Sequence, residues 1–324
     1  TAIQFPYEIS DGKGGTATAN QIIAVTAVND NPVAVDDTYT VSEDTSVTLN
    51  PLHSDTDVDG DGDTLTITSI NGITLTGGVQ EITVPNGKVN ISATGVITFT
   101  PDANFNSATA IHFPYQISDG NGGTATANQI IMVTAVNDDP VAVDDSYTVA
   151  EDNAVTLNPL NLDTDVDGDT LTITSINGIT LTGGVQEITV PNGKVNISAT
   201  GVITFTPDAN FNSATAIQFP YQISDGKVGT ATANQIIMVT AVNDAPIASA
   251  DSNNSVSSNA GETPINALSA TDIDGTITNY TIITLPTGGI LKLNGTIVTA
   301  GQVLTPSEAG QLTYEPNGAF TGND

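Results

Sequence analysis

The stretch Thr64–Ile111 reads TLTITSINGITLTGGVQEITVPNGKVNISATGVITFTPDANFNSATAI, and Thr170–Ile217 repeats it without one change. Within it, TLTITSI (Thr64–Ile70) and VITFT (Val96–Thr100) set apolar residues on one face at period two. The run ATANQIIMVTAV (Ala125–Val136) does the same further on. Asn71-Gly72, Asn86-Gly87, Gly77-Gly78 and Thr94-Gly95 supply tight turns. No stretch shows convincing helical periodicity. The expected strands are Ala34–Val41, Val47–Asn50, Leu65–Ile70, Glu81–Val84, Val96–Thr100, Ala110–Ser118 and Thr124–Val136. Roughly seven short strands in about 100 residues read as an all-β, immunoglobulin-like Greek-key β-sandwich. Pro114 and Pro220 fall inside an expected strand, which is therefore expected at an edge or bulged.

The repetition sets the domain boundaries. YEISDGKGG at Tyr7 returns as YQISDGNGG at Tyr115 and YQISDGKVG at Tyr221, while AVNDNP, AVNDDP and AVNDAP lead to Pro32, Pro140 and Pro246. Cutting before each proline gives a leader at 1–31, repeats at 32–139 and 140–245, and a diverged remnant at 246–324. The leader corresponds to the C-terminal hairpin of a repeat and the remnant to the start of one. The expectation is a piece of a longer protein, with its sandwiches strung in an elongated array.

The chain carries 36 acidic residues against five lysines and no arginine, a net charge of −31. Such a field repels nucleic acid and anionic membrane surfaces and attracts cations. Cysteine is absent, which excludes a disulfide framework and a thiolate metal site. No run approaches the roughly 18 apolar residues of a membrane span.

Each copy of the long repeat follows an aspartate-dense loop, DTDVDGDGD at Asp55–Asp63 and DTDVDGD at Asp163–Asp169. Asp-x-Asp-x-Asp-Gly is the first half of a calcium loop, in which alternate carboxylates turn toward a hard cation that takes six to eight oxygens. An EF-hand would require Glu at its twelfth position, but Thr66 and Thr174 stand there, in strand rather than helix. The other oxygens must come from elsewhere. Strands running up and down place the acidic loop and the turn Asp119–Gly123 at the end where the chain enters. The turn Glu43-Asp44 falls at the end where it leaves.

Each junction then collects carboxylates from linker, upstream turn and downstream loops. The expected calcium ligands at the first are Asn29, Asp30, Asp55, Asp57, Asp59, Asp63 and Asp119. At the second they are Glu43, Asn137, Asp138, Asp163, Asp165, Asp167 and Asp225, and at the third Glu151, Asn243, Asp244, Asp272 and Asp274. Magnesium, which demands an octahedron and keeps its waters, suits such loops less. Asp36-Asp37 and Asp144-Asp145 are either ligands or strand-start pairs facing water.

The run YQISDGNGGTATANQIIMVTAVNDDPVAVDD resembles the bacterial VCBS and cadherin-like tandem domains of giant secreted, RTX-type adhesins. Its motifs, SDGxGG, VND-x-P and DxDxDG, are specific together and weak singly, and the resemblance covers nearly the whole chain. The linker Asn-Asp-Asn-Pro is similar to the calcium linker of cadherins, which implies calcium for Asn29, Asp30, Glu43, Asp57 and Asp59. It also implies an extracellular or cell-surface stalk whose partners are calcium ions and neighbouring repeats, with a host or surface ligand bound through other domains. The fourth unit departs from the pattern, since TDIDG lacks the first Asp and VDD has become SAD.

Catalytic candidates are few. His53 and His112 are replaced by Asn161 and Gln218 in the sister repeat, and no Ser-His-Asp set can be built repeatedly. No enzymatic role is expected. Phe99, Phe105, Phe113 and Tyr115 read as core rather than as a sugar platform. A glycan- or protein-binding sandwich, or spacers beside an extracellular enzyme, are the alternatives to the stalk.

Overall fold

Apolar residues two apart place Phe99 and Phe113 on facing inner surfaces, their ring centroids 6.0 Å apart and their planes 29° apart. The computed structural model describes residues 2–26, 28–59, 64–251, 254–318 and 321–322. It divides into two units, Thr1–Asp138 and Asp139–Asp324. No helix among the described residues is long and apolar enough to cross a membrane.

The first unit opens on a hairpin of β1 (Ala2–Ser10) and β2 (Thr16–Ala24), every residue of which is exposed. There follow β3 (Asp37–Ser42), β4 (Val47–Leu49), β5 (Thr66–Ile70), β6 (Ile73–Thr74), β7 (Gln80–Val84), β8 (Gly87–Ile91), β9 (Ile97–Pro101), β10 (Ile111–Ser118) and β11 (Thr124–Thr134). One sheet has the order β3-β11-β10-β5-β6 and the other β4-β9-β8-β7. Their inner faces close on a core that includes Ile70, Val89, Phe99, Phe113, Tyr115, Ile117 and Ile131. Burying each such side chain contributes about 1.5–3 kcal/mol. This is the expected all-β, immunoglobulin-like sandwich, and it recurs in the second unit.

There the strands are β12 (Asp145–Ala150), β13 (Val155–Leu157), β14 (Thr172–Ile176), β15 (Ile179–Thr180), β16 (Gln186–Val190), β17 (Gly193–Ile197), β18 (Ile203–Pro207), β19 (Ile217–Ser224) and β20 (Thr230–Thr240). The sheet orders β12-β20-β19-β14-β15 and β13-β18-β17-β16 match, and Phe205 stacks on Phe219 with centroids 6.0 Å apart. The remaining chain builds a four-stranded sheet from Thr263–Pro264, Leu312–Pro316, Gly289–Leu293 and Thr296–Ile297 around Ile282, Val298, Leu304 and Leu312. A single helical turn, Pro306–Ala309, starts at a capping box between Thr305 and Glu308.

Two pairings position the acidic loops. Antiparallel β10 and β5 set Ser118 opposite Thr66, so the turn after β10 and the loop before β5 share one end of the sandwich. Parallel β3 and β11 finish together at Ser42 and Thr134, which puts Glu43 at the other end beside the departing chain. The entering chain is held against the acidic loop by the antiparallel bridge Val33–Thr56, with N–H···O distances of 2.8 and 3.0 Å.

The proline-bearing strand is not an edge. β10 lies between β11 and β5, with a register shift against β5 between Gln116 and Ile117. Asn128, opposite Pro114, turns its N–H away from β10 to Asp36 Oδ1 at 2.7 Å, so β11 asks no donor of Pro114. On its other side the Pro114 carbonyl accepts the Asn71 N–H at 2.7 Å, where β5 has already turned.

Candidate metal centres

The aspartate loops share a local device. Asp57 Oδ1 accepts the Asp59 N–H at 3.0 Å, and Asp165 Oδ1 accepts the N–H groups of Asp167 and Asp169 at 2.9 and 3.2 Å. Asp272 Oδ1 likewise takes the N–H groups of Asp274 and Gly275, at 3.3 and 2.8 Å. Folding one oxygen onto the loop aims the other inward. Asp57 Oδ2 and Asp165 Oδ2 are buried with no hydrogen-bond donor. An ionised carboxylate only accepts, and a buried one without a donor is costly unless a cation meets it.

The turn after β10 brings a second wall. Asp119, 3% exposed, accepts the N–H groups of Asn121 and Gly123 through Oδ1 at 2.7 and 3.0 Å. Its Oδ2 accepts the Asn29 side-chain amide at 2.9 Å. That amide, with the two backbone N–H groups, holds the Asp119 carboxyl below its ordinary pKa of 3.8. Gly123 is required for the close approach, because a Cβ there would lie 2.1 Å from Asp119 Oδ2. Asp225 accepts from the matching positions but through both oxygens, Oδ1 taking the Lys227 N–H at 2.7 Å and Oδ2 the Gly229 N–H at 3.0 Å.

The linkers supply the third wall. Asn29, Asn137 and Asn243 each turn the side-chain amide onto the carbonyl of the following Asp, at 3.1, 3.0 and 2.7 Å. The Asp30 N–H then donates to the Asp59 carboxylate, and the Asp244 N–H reaches both Asp274 oxygens at 3.4 and 3.3 Å. Asp244 Oδ2 is another buried oxygen without a donor. Burial raises the Asp244 pKa, and the negative charges of Asp152, Asp274, Glu151 and Asp272 add to it. Like charges are thus crowded where the chain passes from one sandwich into the next segment.

Among the described residues, one group is compact enough to ligate a single ion as it stands. Asp165, Asp169 and Asp225 each offer an oxygen within 4.8 Å of the others. Calcium–oxygen distances of about 2.3–2.6 Å allow opposite ligands to lie about 5 Å apart, so this spread fits one calcium. The all-oxygen donor set and the bare Asp165 oxygen fit it too.

Other expected ligands have tasks inside their own sandwich. Asp55 accepts the Val35 N–H at 2.8 Å and the Tyr115 hydroxyl at 2.9 and 3.0 Å. Asp163 does the same with Val143 N–H at 2.8 Å and Tyr221 at 3.0 and 3.1 Å. Burial pushes the Asp163 pKa up, while Val143 and Tyr221 pull it back. Both tyrosine hydroxyls are pushed up, by burial first and then by the carboxylate each donates to. Glu43 and Glu151, each 1% exposed, accept the Val136 and Val242 N–H groups at 2.6 Å, clamping the strand that runs into the linker. Their second oxygens accept the Asn106 and Asn212 amides at 3.0 and 2.9 Å.

Asp63 lies outside the described residues. Asp36 and Asp37 neither join the loops nor simply face water. Asp36 caps Asn128, and buried Asp37 accepts the Gln129 amide at 2.7 Å. Two residues absent from the expected ligands belong here: Asp169, which aligns with Asp63, and Asp152, second in the Glu-Asp turn. His53 and His112 are exposed, whereas Phe99, Phe113 and Tyr115 are core.

Among solved structures, the chain overlaps protocadherin gamma B7 extracellular cadherin domains 1–4 at 15% identity and a TM-score of 0.48, covering 94% of this chain and 72% of that one. Protocadherin gamma B2 extracellular cadherin domains 1–5 gives 15% identity and 0.45, covering 98% and 59%. Human CDH23 EC21-23 gives 15% and 0.42, covering 85% and 90%. No curated protein matches the sequence. A family model described as "Bacterial Ig domain" matches residues 29–132 and 137–238, and on that match the chain belongs to the bacterial Ig domain family.

Proposed function

We propose that this chain is a run of calcium-set structural repeats from a secreted or cell-surface bacterial protein of the adhesin type. The observation that carries the reading is the donorless, buried carboxylate oxygen at Asp57, Asp165 and Asp244, found at three successive places where a linker meets an aspartate loop. A calcium ion supplies the positive charge that these oxygens lack. Asp57, Asp59 and Asp119 would hold it with Asn29 and Asp30. Asp165, Asp167, Asp169 and Asp225 would do so in the second unit. Asp244, Asp272 and Asp274, beside Glu151, form the third set. Asp55 and Asp163 anchor the loops to Tyr115 and Tyr221, and Glu43 and Glu151 anchor the linkers.

The chemistry fits an extracellular setting, because modules outside the cell bind calcium at about 10⁻⁴–10⁻³ M, where the ion is abundant. An ion bound only by the folded loops stabilises them by mass action, about 2.7 kcal/mol per site at 100-fold excess over Kd. The melting temperature is expected to rise by many degrees between chelator and millimolar calcium. Proteolytic cleavage at the aspartate loops should slow with calcium. If chelation alters neither, the calcium reading is abandoned.

A further inference from the structure

Around the aspartate loop the two near-identical repeats differ in charge: the first loop is two residues longer and has one more aspartate, the linker has Asn31 against Asp139, and the turn after the proline-bearing strand differs as well. The second repeat carries Lys227 where the first has the neutral Asn121. Lys227 Nζ lies 2.7 Å from Asp169 Oδ2, on the compact group Asp165, Asp169 and Asp225. Among the described residues no other lysine is ion-paired with an aspartate loop. Lys88 and Lys194 pair across hairpins with Glu81 and Glu187, and Lys292 sits between Glu262 and Glu315.

We propose that Lys227 is a tethered counterion that holds the calcium affinity of the second repeat below what its own carboxylates would give. The inference rests on the calcium reading given above. Its ammonium offsets one of the three crowded carboxylates, and Asp165 Oδ2 still lacks a donor, so the loop remains short of positive charge. A divalent cation entering the group meets the ammonium as a like charge a few ångströms away and must displace it or tolerate it. The same contact that steadies the metal-free loop therefore weakens binding. The side chain is half-exposed, so it can swing into water when the ion enters.

The opposition of these two effects gives the test. Lys227→Asn in the full 324-residue chain is expected to lower the melting temperature in chelator by a few degrees. In calorimetric titration with calcium chloride it should tighten one binding event about tenfold, the effect of ~1.4 kcal/mol. Asn121→Lys in the first repeat should do the reverse, weakening a different event and raising the metal-free melting temperature. A merely structural lysine would lower stability equally with and without calcium. Equal calcium affinities in wild type and Lys227→Asn, or a variant no less stable in chelator, would overturn the role given to Lys227 and leave the junction reading standing. A wild-type chain that takes up no calcium would remove both.

Discussion

At the scale of single residues, Asp55 and Asp57 are two positions apart and do different work. Asp57 folds onto its own loop and leaves an oxygen bare, while Asp55 is held by a hydroxyl sixty residues further along the chain. The pattern DxDxD announces the loop but not this division of roles, because the partner that decides it, Tyr115, is buried on another strand. Asp169 was legible only by aligning the shorter loop on the longer one. Tyr115→Phe tests the division. Its hydroxyl donates to Asp55 and lies 2.9 Å from the Val35 carbonyl, so removing it leaves a charged acceptor short of a donor. The expected loss is about 1–3 kcal/mol in urea unfolding, with calcium affinity reduced as the loop loosens. An unchanged midpoint would mean that water replaces the hydroxyl at no cost and that Asp55 is free to ligate.

At the scale of strands, the sandwich was readable from period-two alternation and Asn-Gly turns, because those signals are local. β8 was not singled out, since GKVNI reads as a turn with a short tail until β9 is laid beside it. Gly87 shows what decides it. A Cβ there would sit 2.5 Å from the Thr100 carbonyl and 2.7 Å from the Phe99 ring, so the strand exists where only a glycine lets two strands close over that ring. Gly87→Ala should therefore destabilise the first sandwich by about 1–3 kcal/mol through overpacking, and Gly193→Ala the second equally. A wild-type unfolding midpoint would show that Phe99 can shift aside. Local rules expect Pro114 at an edge or in a bulge; the strand is central and shifts register at Gln116/Ile117, and what lets it be central is again distant in sequence. Asp36 takes the Asn128 N–H from ninety-two residues away, so that β11 asks no donor of Pro114, and that is beyond the reach of any local rule. The short helix was legible in principle, as Thr305-Pro-Ser-Glu308 is a capping box, but one turn leaves no periodicity to find.

For the molecule as a whole, the question is whether calcium acts at sites or merely screens a chain of net charge −31. The two differ in how they depend on salt. Charges spread over the surface repel across distances that monovalent salt shortens, since the Debye length falls from about 10 Å at 0.1 M to about 3 Å at 1 M. The carboxylates of Asp165, Asp169 and Asp225, partly or fully buried and with oxygens within 4.8 Å of one another, are screened far less than surface charges, so salt leaves much of their repulsion in place. Sodium chloride raised from about 0.1 M to about 1 M should therefore lift the metal-free melting temperature only modestly. Millimolar calcium, which hardly changes the ionic strength, should lift it further. Magnesium at equal concentration should do less, because it gives up its waters reluctantly and these loops offer oxygens from three separate segments rather than a strict octahedron. If sodium chloride alone reproduces the calcium shift, the acidic loops are a diffuse field and hold no ion. If magnesium equals calcium, the loops bind a divalent charge without selecting its size. Only a calcium shift above both assigns the bare oxygens of Asp57, Asp165 and Asp244 to direct coordination, because screening has no means of telling the two divalent ions apart.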